Sequence, residues 1–430
     1  MCWGVIKDVE KFSRNNLAVE LMFASTKFRP AKLMSVTRAT LALALLSGLL
    51  FIALPPAYAQ TETVLHSFGN QFSGDGYYPF AGLVMDKEGN LYGTTVYGGT
   101  GSGGTVFKVT SSGIETVLHS FVYFSGDGVE PIAGLIMDKE GNLYGTTYQG
   151  GANNVGTVFK LTPEGTETVL YSFGTQSGDG TYPSASLMRD KKGNLYGTTA
   201  YGGANDCFEK GCGTVFKLTP GGKETVLYSF GSQSGDGIQP LAGLVMDKKG
   251  NLYGTTLEGG SVGLGTVFKL TPHGTETVLH SFGSEGDGSL PLGNLLTDKL
   301  GNLYGTTASG GSIGNTGGTV FEVTPAGTES LLYSFDSSRS WEGLMPSGGV
   351  IMDKEGNFYG ATEQGGTKNW GAVFELTPAG SETPLYSFGS ESDDGFEPIG
   401  GLIRDKKGNL YGTTYEGGVN NDGTVYKVTP

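Results

Sequence analysis

The chain has 430 residues, among them 75 Gly and 17 Pro; 37% are hydrophobic, 11% aromatic and only 16% charged. That balance excludes a disordered tail protein and a collagen. The net charge of −14, with no Lys/Arg-rich run, would repel a phosphate backbone, so nucleic acid is not an expected partner.

Residues 1–59 differ from the rest, with seven Lys/Arg against three Asp/Glu and then an apolar run from Ala39 to Leu54. Lys27, Arg29, Lys32 and Arg38 read as the basic region of a secretory signal peptide, the 16-residue run as its apolar region, and Ala57 and Ala59 as the small residues of its cleavage site. Cleavage is expected after Ala59, with Met34 as an alternative start. The apolar run is shorter than the roughly 20 residues of a membrane span, so the mature protein, residues 60–430, is not expected to be integral to a membrane. It is expected to be secreted or periplasmic.

The rest of the chain repeats one unit. NLYGTT or a near variant recurs with its Tyr at Tyr92, Tyr144, Tyr196, Tyr253, Tyr304, Tyr359 and Tyr411, at intervals of 52, 52, 57, 51, 55 and 52 residues. Periods of this size mark solenoids or propellers. Each unit reads as four short strands: GLVMD (82–86), NLYGTT (90–95), GTVFKVT (104–110) and ETVLHSF (115–121). A Gly-containing turn joins strands one and two, a longer loop joins two and three, and a turn such as Pro163-Glu164-Gly165 joins three and four. Such sheets cannot bury their faces alone, and radial stacking covers both. The repeat opens with a lone fourth strand, Glu62 to Phe68, and closes with a third strand, Gly423 to Thr429, that lacks a fourth. The expected fold is therefore an all-β, seven-bladed propeller of four-stranded blades, closed by pairing of its N- and C-terminal strands.

GLVMDKEGNLYGTT followed by GTVFKLTP and ETVLYSF resembles the GloVer tandem repeat of bacterial exported proteins, over nearly all of residues 61–430. The resemblance implies an exported, surface-associated protein with no family catalytic residues; many such chains carry a C-terminal anchor, and this sequence ends at Pro430, directly after a strand. DxxGNLYG is also loosely similar to repeats of lactonase-like and streptogramin-lyase-like propellers.

Cys207 and Cys212, both in the loop between strands two and three of unit three, are expected to form a disulfide. His66, His119 and His280 occupy a strand-four position that is Tyr171, Tyr228, Tyr333 and Tyr386 elsewhere, so they read as packing residues, and His273 lies in a short turn. No metal site, catalytic residue or cofactor is expected. Asp75, Asp127, Asp179, Asp236, Asp287 and Asp394 recur in a GDG element. They would form a carboxylate ring able to take Ca²⁺, or cap their own turns; turn capping is preferred because they repeat. Unit six breaks the pattern. There Trp341 and Trp370, the only Trp beyond the signal region, with Arg339 and Glu342, would suit stacking and hydrogen bonding to a sugar. The expected function is a non-enzymatic binding or surface-interaction module, with extracellular glycan or a cell-surface component as partner. The alternatives are a polysaccharide or lactone hydrolase or lyase using loop carboxylates such as Glu342 and Asp394, and a structural envelope protein.

Overall fold

The computed structural model describes residues 61–430 except 70–73, 208, 285, 313–316 and 340. The expected signal peptide, residues 1–59, lies outside the described residues. The described chain is all-β: seven blades of four antiparallel strands form a propeller, and in blade 1 a further two-residue ladder joins the sheet through a parallel pairing of Gly98 with Gly103. Blades 1 to 7 are numbered here by their NLYGTT strands in chain order. Among the described residues no helix is long and apolar enough to cross a membrane.

In blade 2 the order is Ile136–Met137, Leu143–Thr147, Thr157–Leu161 and Glu167–Ser172, from the axis outward. The innermost strand is two residues long in most blades, shorter than the pattern GLVMD suggests. It is paired on one side only, and its leading glycines approach the neighbouring blade's backbone too closely for a side chain. A Cβ on Gly82 would sit 2.7 Å from the Gly401 carbonyl oxygen. The turn after it is held by its own aspartate: Asp86 accepts the backbone N–H and side-chain amide of Asn90 and the Tyr92 hydroxyl. Gly89, at φ 84°, takes the left-handed corner that this turn requires. The hydroxyls of the two threonines in YGTT divide their work. The second pairs within the blade, as in Thr95 with Thr105 at 2.8 Å. The first donates to the next blade, as in Thr198 to the Ala242 carbonyl at 3.1 Å and Thr413 to the Ala81 carbonyl at 2.8 Å.

The apolar core is divided among the seven seams between blades. Each seam holds one cluster of buried side chains centred on a strand-four aromatic ring of one blade and a strand-three ring of the next. The pairs are Phe68–Phe107, Phe121–Phe159, Phe173–Phe216, Phe230–Phe268, Phe282–Phe321, Phe335–Phe374 and Phe388–Tyr426. All meet edge to face, with ring centroids 4.9–5.2 Å apart. Burying each ring contributes roughly 2–3 kcal/mol, and the edge-to-face geometry about 1 kcal/mol more per pair.

The termini close the ring. Thr61–Ser67 pairs antiparallel with Thr424–Thr429, from Thr61 opposite Thr429 to Ser67 opposite Thr424, and supplies the fourth strand of blade 7. Phe68, just beyond it, fills the seam with blade 1. Deleting residues 60–68 should therefore expose the edge of blade 7 and lower the melting temperature by roughly 10 °C or more; an unchanged calorimetric transition would refute the closure.

Candidate functional site

The long loops gather on one face, where each seam has a polar counterpart to its phenyl pair. The GDG aspartates stand here. In five of the six, Oδ1 accepts the N–H of the following glycine at 2.7–2.9 Å. Oδ2 accepts backbone N–H groups at the exit of strand four and faces the polar tip of the strand-four His or Tyr. The separations are 3.4, 3.3, 2.8, 2.8, 3.0 and 2.8 Å for His66–Asp75, His119–Asp127, Tyr171–Asp179, Tyr228–Asp236, His280–Asp287 and Tyr386–Asp394. The same His and Tyr rings lie edge-on to the strand-four Phe. These aspartates bind the turn to the blade and do not form an open ring of ligands.

A second carboxylate reaches each seam from the start of the next blade's fourth strand: Glu115, Glu167, Glu224, Glu276, Glu329, Glu382 and Glu62. In every one, a carboxylate oxygen is buried without a hydrogen-bond partner. Burial, and after it the seam aspartate, pushes Glu224 and Glu276 up to about 7. Glu382 is pushed up to about 8 by burial and then by Glu342. Sequence reasoning passed over these residues although a Glu opens ETVL or its variant in all seven units.

In blade 6, Glu342 takes the place of the missing GDG aspartate. It is 1% exposed and its Oε1 accepts a short hydrogen bond from Tyr333. The expectation that Glu342 faces a ligand is thereby corrected: one extra methylene lets a glutamate reach the same inward position. Asp394, the other carboxylate considered for catalysis, is 2% exposed and bound to Tyr386 and to three backbone N–H groups. Arg339 bridges Asp336 at 3.4 Å and Glu342 at 3.6 Å, and its guanidinium lies over the Trp341 ring. Trp370 is 41% exposed and stacks on Phe396 of blade 7 at 4.7 Å. Arg339, Trp341 and Glu342 thus meet within one loop, while Trp370 packs against blade 7. Cys207 and Cys212 are joined as a disulfide, with Cα atoms 4.9 Å apart; Cys212 is buried in the seam between blades 3 and 4.

The face has a feature that composition and periodicity do not signal. The residue before the proline that leads into each blade is left-handed, with φ 57–60°: Tyr78, Glu130, Tyr182, Gln239, Leu290, Met345 and Glu397. That conformation costs roughly 1–2 kcal/mol for a residue with a Cβ. Two backbone bonds hold it. The N–H donates to a loop of the preceding blade, as Tyr78 to Asp422 and Glu397 to Trp370, and the carbonyl accepts from the residue after YGTT, as Tyr78 from Val96 and Glu397 from Tyr415. A two-residue ladder, Gly76–Tyr77 with Tyr97–Gly98 in blade 1, repeats in every unit and fixes the same loops.

These fixed positions carry side chains that differ from unit to unit, and aromatic ones gather over blades 6, 7 and 1. Trp370 stacks on Phe396; next to it Glu397 is tied to Tyr415; Tyr415 stacks on Tyr78 at 4.7 Å; and Tyr77, Tyr78 and Tyr97 touch one another. Carboxylates border this arc: burial, then Glu416 and Asp422, raise the Tyr78 phenol above its ordinary value. A smaller group, Tyr148, Tyr182 and Tyr201, crosses blades 2 and 3. The axial cavity, about 320 Å³, is lined by glycine and aliphatic residues, with Ser186 and Asn294 its polar side chains.

A closed ring of seven blades built from one unit, with its variable side chains collected on one face, defines a tandem-repeat β-propeller. Residues 32–207, 207–346 and 338–430 match the Gloeobacter/Verrucomicrobia repeat, and the chain belongs to that family. No curated protein matches the sequence. Among solved structures, the extracellular domain of a protein described as a hybrid two-component system of B. thetaiotaomicron is similar at 16% identity and a TM-score of 0.54. The likeness covers 86% of this chain and 41% of that one, so this chain spans about two fifths of its length. A second such extracellular domain from B. thetaiotaomicron gives 9% identity and a TM-score of 0.53, over 85% of this chain and 39% of that one. A gluconolactonase from Xanthomonas campestris gives 13% identity over 86% and 89% of the two chains, at a TM-score of 0.43 that carries no more than a general likeness.

The seam electrostatics set a pH dependence. A carboxyl raised on folding stabilises the fold most when protonated, so its contribution is full below about 4.5 and is lost as pH rises through 7 to 8. The turn aspartates, such as Asp190 and Asp247, are lowered through hydrogen bonds from Asn194 and Asn251, against the opposing effect of burial. They act in the opposite sense, losing their contribution as pH falls below their ordinary 3.8. The melting temperature should peak near pH 5 and fall by several degrees towards pH 8.5, and Glu224→Gln/Glu276→Gln should flatten that fall; a melting temperature that rises over this range would contradict the assignment.

Proposed function

We propose that this propeller is an exported, non-enzymatic binding module whose ligand surface is the loop-bearing face and whose ligand is an extracellular carbohydrate. The observation that carries the reading is the aromatic arc over blades 6, 7 and 1. Rings held by neighbours at 4.7 Å are pre-organised, so little order is lost when a sugar face stacks on them. Glu397, Glu416 and Asp422 stand beside them as acceptors for hydroxyls. The arc replaces the pairing of Trp341 with Glu342 as the centre of the proposed site and keeps Trp370. Engagement of Glu342 and Asp394 inside seams favours binding over the hydrolase alternative, which would need both facing substrate. The extracellular domains of similar fold are in keeping with export.

On a glycan array, the wild type should bind a defined set of polysaccharides. Tyr78→Ala/Tyr415→Ala and Trp370→Ala should each weaken that binding about tenfold or more, equivalent to about 1.4 kcal/mol. Trp341→Ala should change it little. Silence from folded wild type, or binding indifferent to the arc variants, would overturn the proposal.

A further inference from the structure

The seams at either side of blade 1 contain a donor set that the loop-face reading does not use. Between blades 7 and 1 stand His66, Asp75 and Glu115; between blades 1 and 2 stand His119, Asp127 and Glu167. In each, an imidazole nitrogen and one oxygen from each carboxylate lie within 4.8 Å of one another. Among the described residues, only these two seams bring three such donors together. We propose that each of these two seams is a binding site for a divalent transition-metal ion of the zinc type, held by His Nε2, Asp Oδ2 and the carboxylate of the glutamate from the following blade.

Three observations carry the assignment. His66 Nε2 and Asp75 Oδ2 are 3.4 Å apart, and His119 Nε2 and Asp127 Oδ2 3.3 Å; two ligands about 2.1 Å from a tetrahedral ion stand about 3.4 Å from each other. The glutamate oxygen lies within 4.8 Å of both and closes on the ion to complete the set. Next, one oxygen of Glu115 and one of Glu167 is buried with no hydrogen-bond partner. A buried carboxylate oxygen with no donor, beside a second carboxylate, has an unmet need for positive charge. A divalent cation supplies it and balances both carboxylates, with the imidazole bound neutral. Finally, the carboxylate ligand is already oriented by backbone: the Gly69 N–H donates to Asp75 Oδ2 at 2.6 Å and the Val122 N–H to Asp127 Oδ2 at 3.3 Å. A nitrogen donor favours zinc over calcium, which takes six to eight oxygens.

The repeat supplies its own control. In the seams after blades 2, 3, 5 and 6 the histidine is replaced by Tyr171, Tyr228, Tyr333 or Tyr386, whose hydroxyl donates to the seam carboxylate. A protonated phenol in that bond is no metal ligand. His280 pairs with Asp287 at 3.0 Å, but Glu329 does not close to the separation reached in the other two. At the first seam the ion would tie the closing strand, the segment leading into blade 1 and the outer strand of blade 1 together.

The test is zinc titration of the EDTA-stripped, untagged protein, followed by calorimetry and by metal analysis after gel filtration. The wild type should retain two zinc ions per chain, His66→Tyr and His119→Tyr one each, and the double variant none. Tyrosine occupies this position in four units, so these variants should fold, as their melting curves without zinc will check. Glu115→Gln/Glu167→Gln should lose the same two ions by removing a different ligand. Zinc should raise the melting temperature of the wild type and leave that of the double histidine variant unchanged. A wild type that retains no zinc, or zinc that persists in the folded double variant, would overturn the proposal; loss of one ion only would overturn the assignment of the other seam.

Discussion

The edge-to-face pair of aromatic rings between neighbouring blades is the contact on which the rest depends. A blade of four short strands has two apolar faces and no second layer of its own. Its strand-three ring is covered by the strand-four ring of the blade before, and its strand-four ring covers the blade after. Stability is thus held between units, and a linear stack of such blades would leave one unpaired face at each end. Closure removes both ends together. This is why the first strand of the repeat region is a fourth strand seated on the last third strand, and why Phe68 immediately follows it.

Fixing the blades through seams leaves the loop-bearing face free to vary. The pre-proline residue shows how the two demands are kept apart. Its backbone N–H and carbonyl each bond to loop backbone, the first across the seam, and its left-handed conformation is the same in all seven units. Because none of these bonds involves the side chain, Tyr78, Glu130, Gln239, Leu290 and Met345 occupy equivalent places without disturbing the ring. A scaffold specified by main-chain bonds and repeated phenyl rings can carry an arc of tyrosines on one side and aliphatic residues on the other.

The fold was legible because it is written seven times: strand lengths near 52-residue spacing, turn chemistry and the orphan terminal strands all point to one closed ring. The candidate surface was legible only in part. A proline after a varying residue does not announce a positive φ, since most pre-proline residues are extended. The partners of Tyr78 come from a segment more than 300 residues away, Tyr415 and Asp422. The carboxylates misled in the opposite direction. Glu342 stood out by breaking the pattern, yet its side chain restores the pattern from a different residue type. The seam glutamates were passed over because their repetition at the start of a strand reads as solvent-facing polarity, whereas in the fold that position is buried beside the seam aspartate.

Blade 6 shows what such drift costs and where it can be tolerated. Its YGAT segment lacks the hydroxyl that Thr94, Thr146, Thr198, Thr255 and Thr413 donate to a backbone carbonyl of the following blade, and the segment leading into it, Pro346-Ser347-Gly348-Gly349, receives no such bond from blade 5. Thr306 of blade 5, which should donate there, is left buried without a partner. Each lost inter-blade hydrogen bond is worth about 1 kcal/mol, and an unsatisfied hydroxyl somewhat more. The phenyl pairs at both of its seams nevertheless keep the same 4.9–5.1 Å spacing as elsewhere. Polar ties at a seam can therefore be lost while the ring holds, and it is this most altered blade that carries Trp341 and Trp370. Because the apolar contacts hold blade 6 from both sides as they hold every blade, divergence of its loop face and loss of its inter-blade hydrogen bonds are tolerated in the same place.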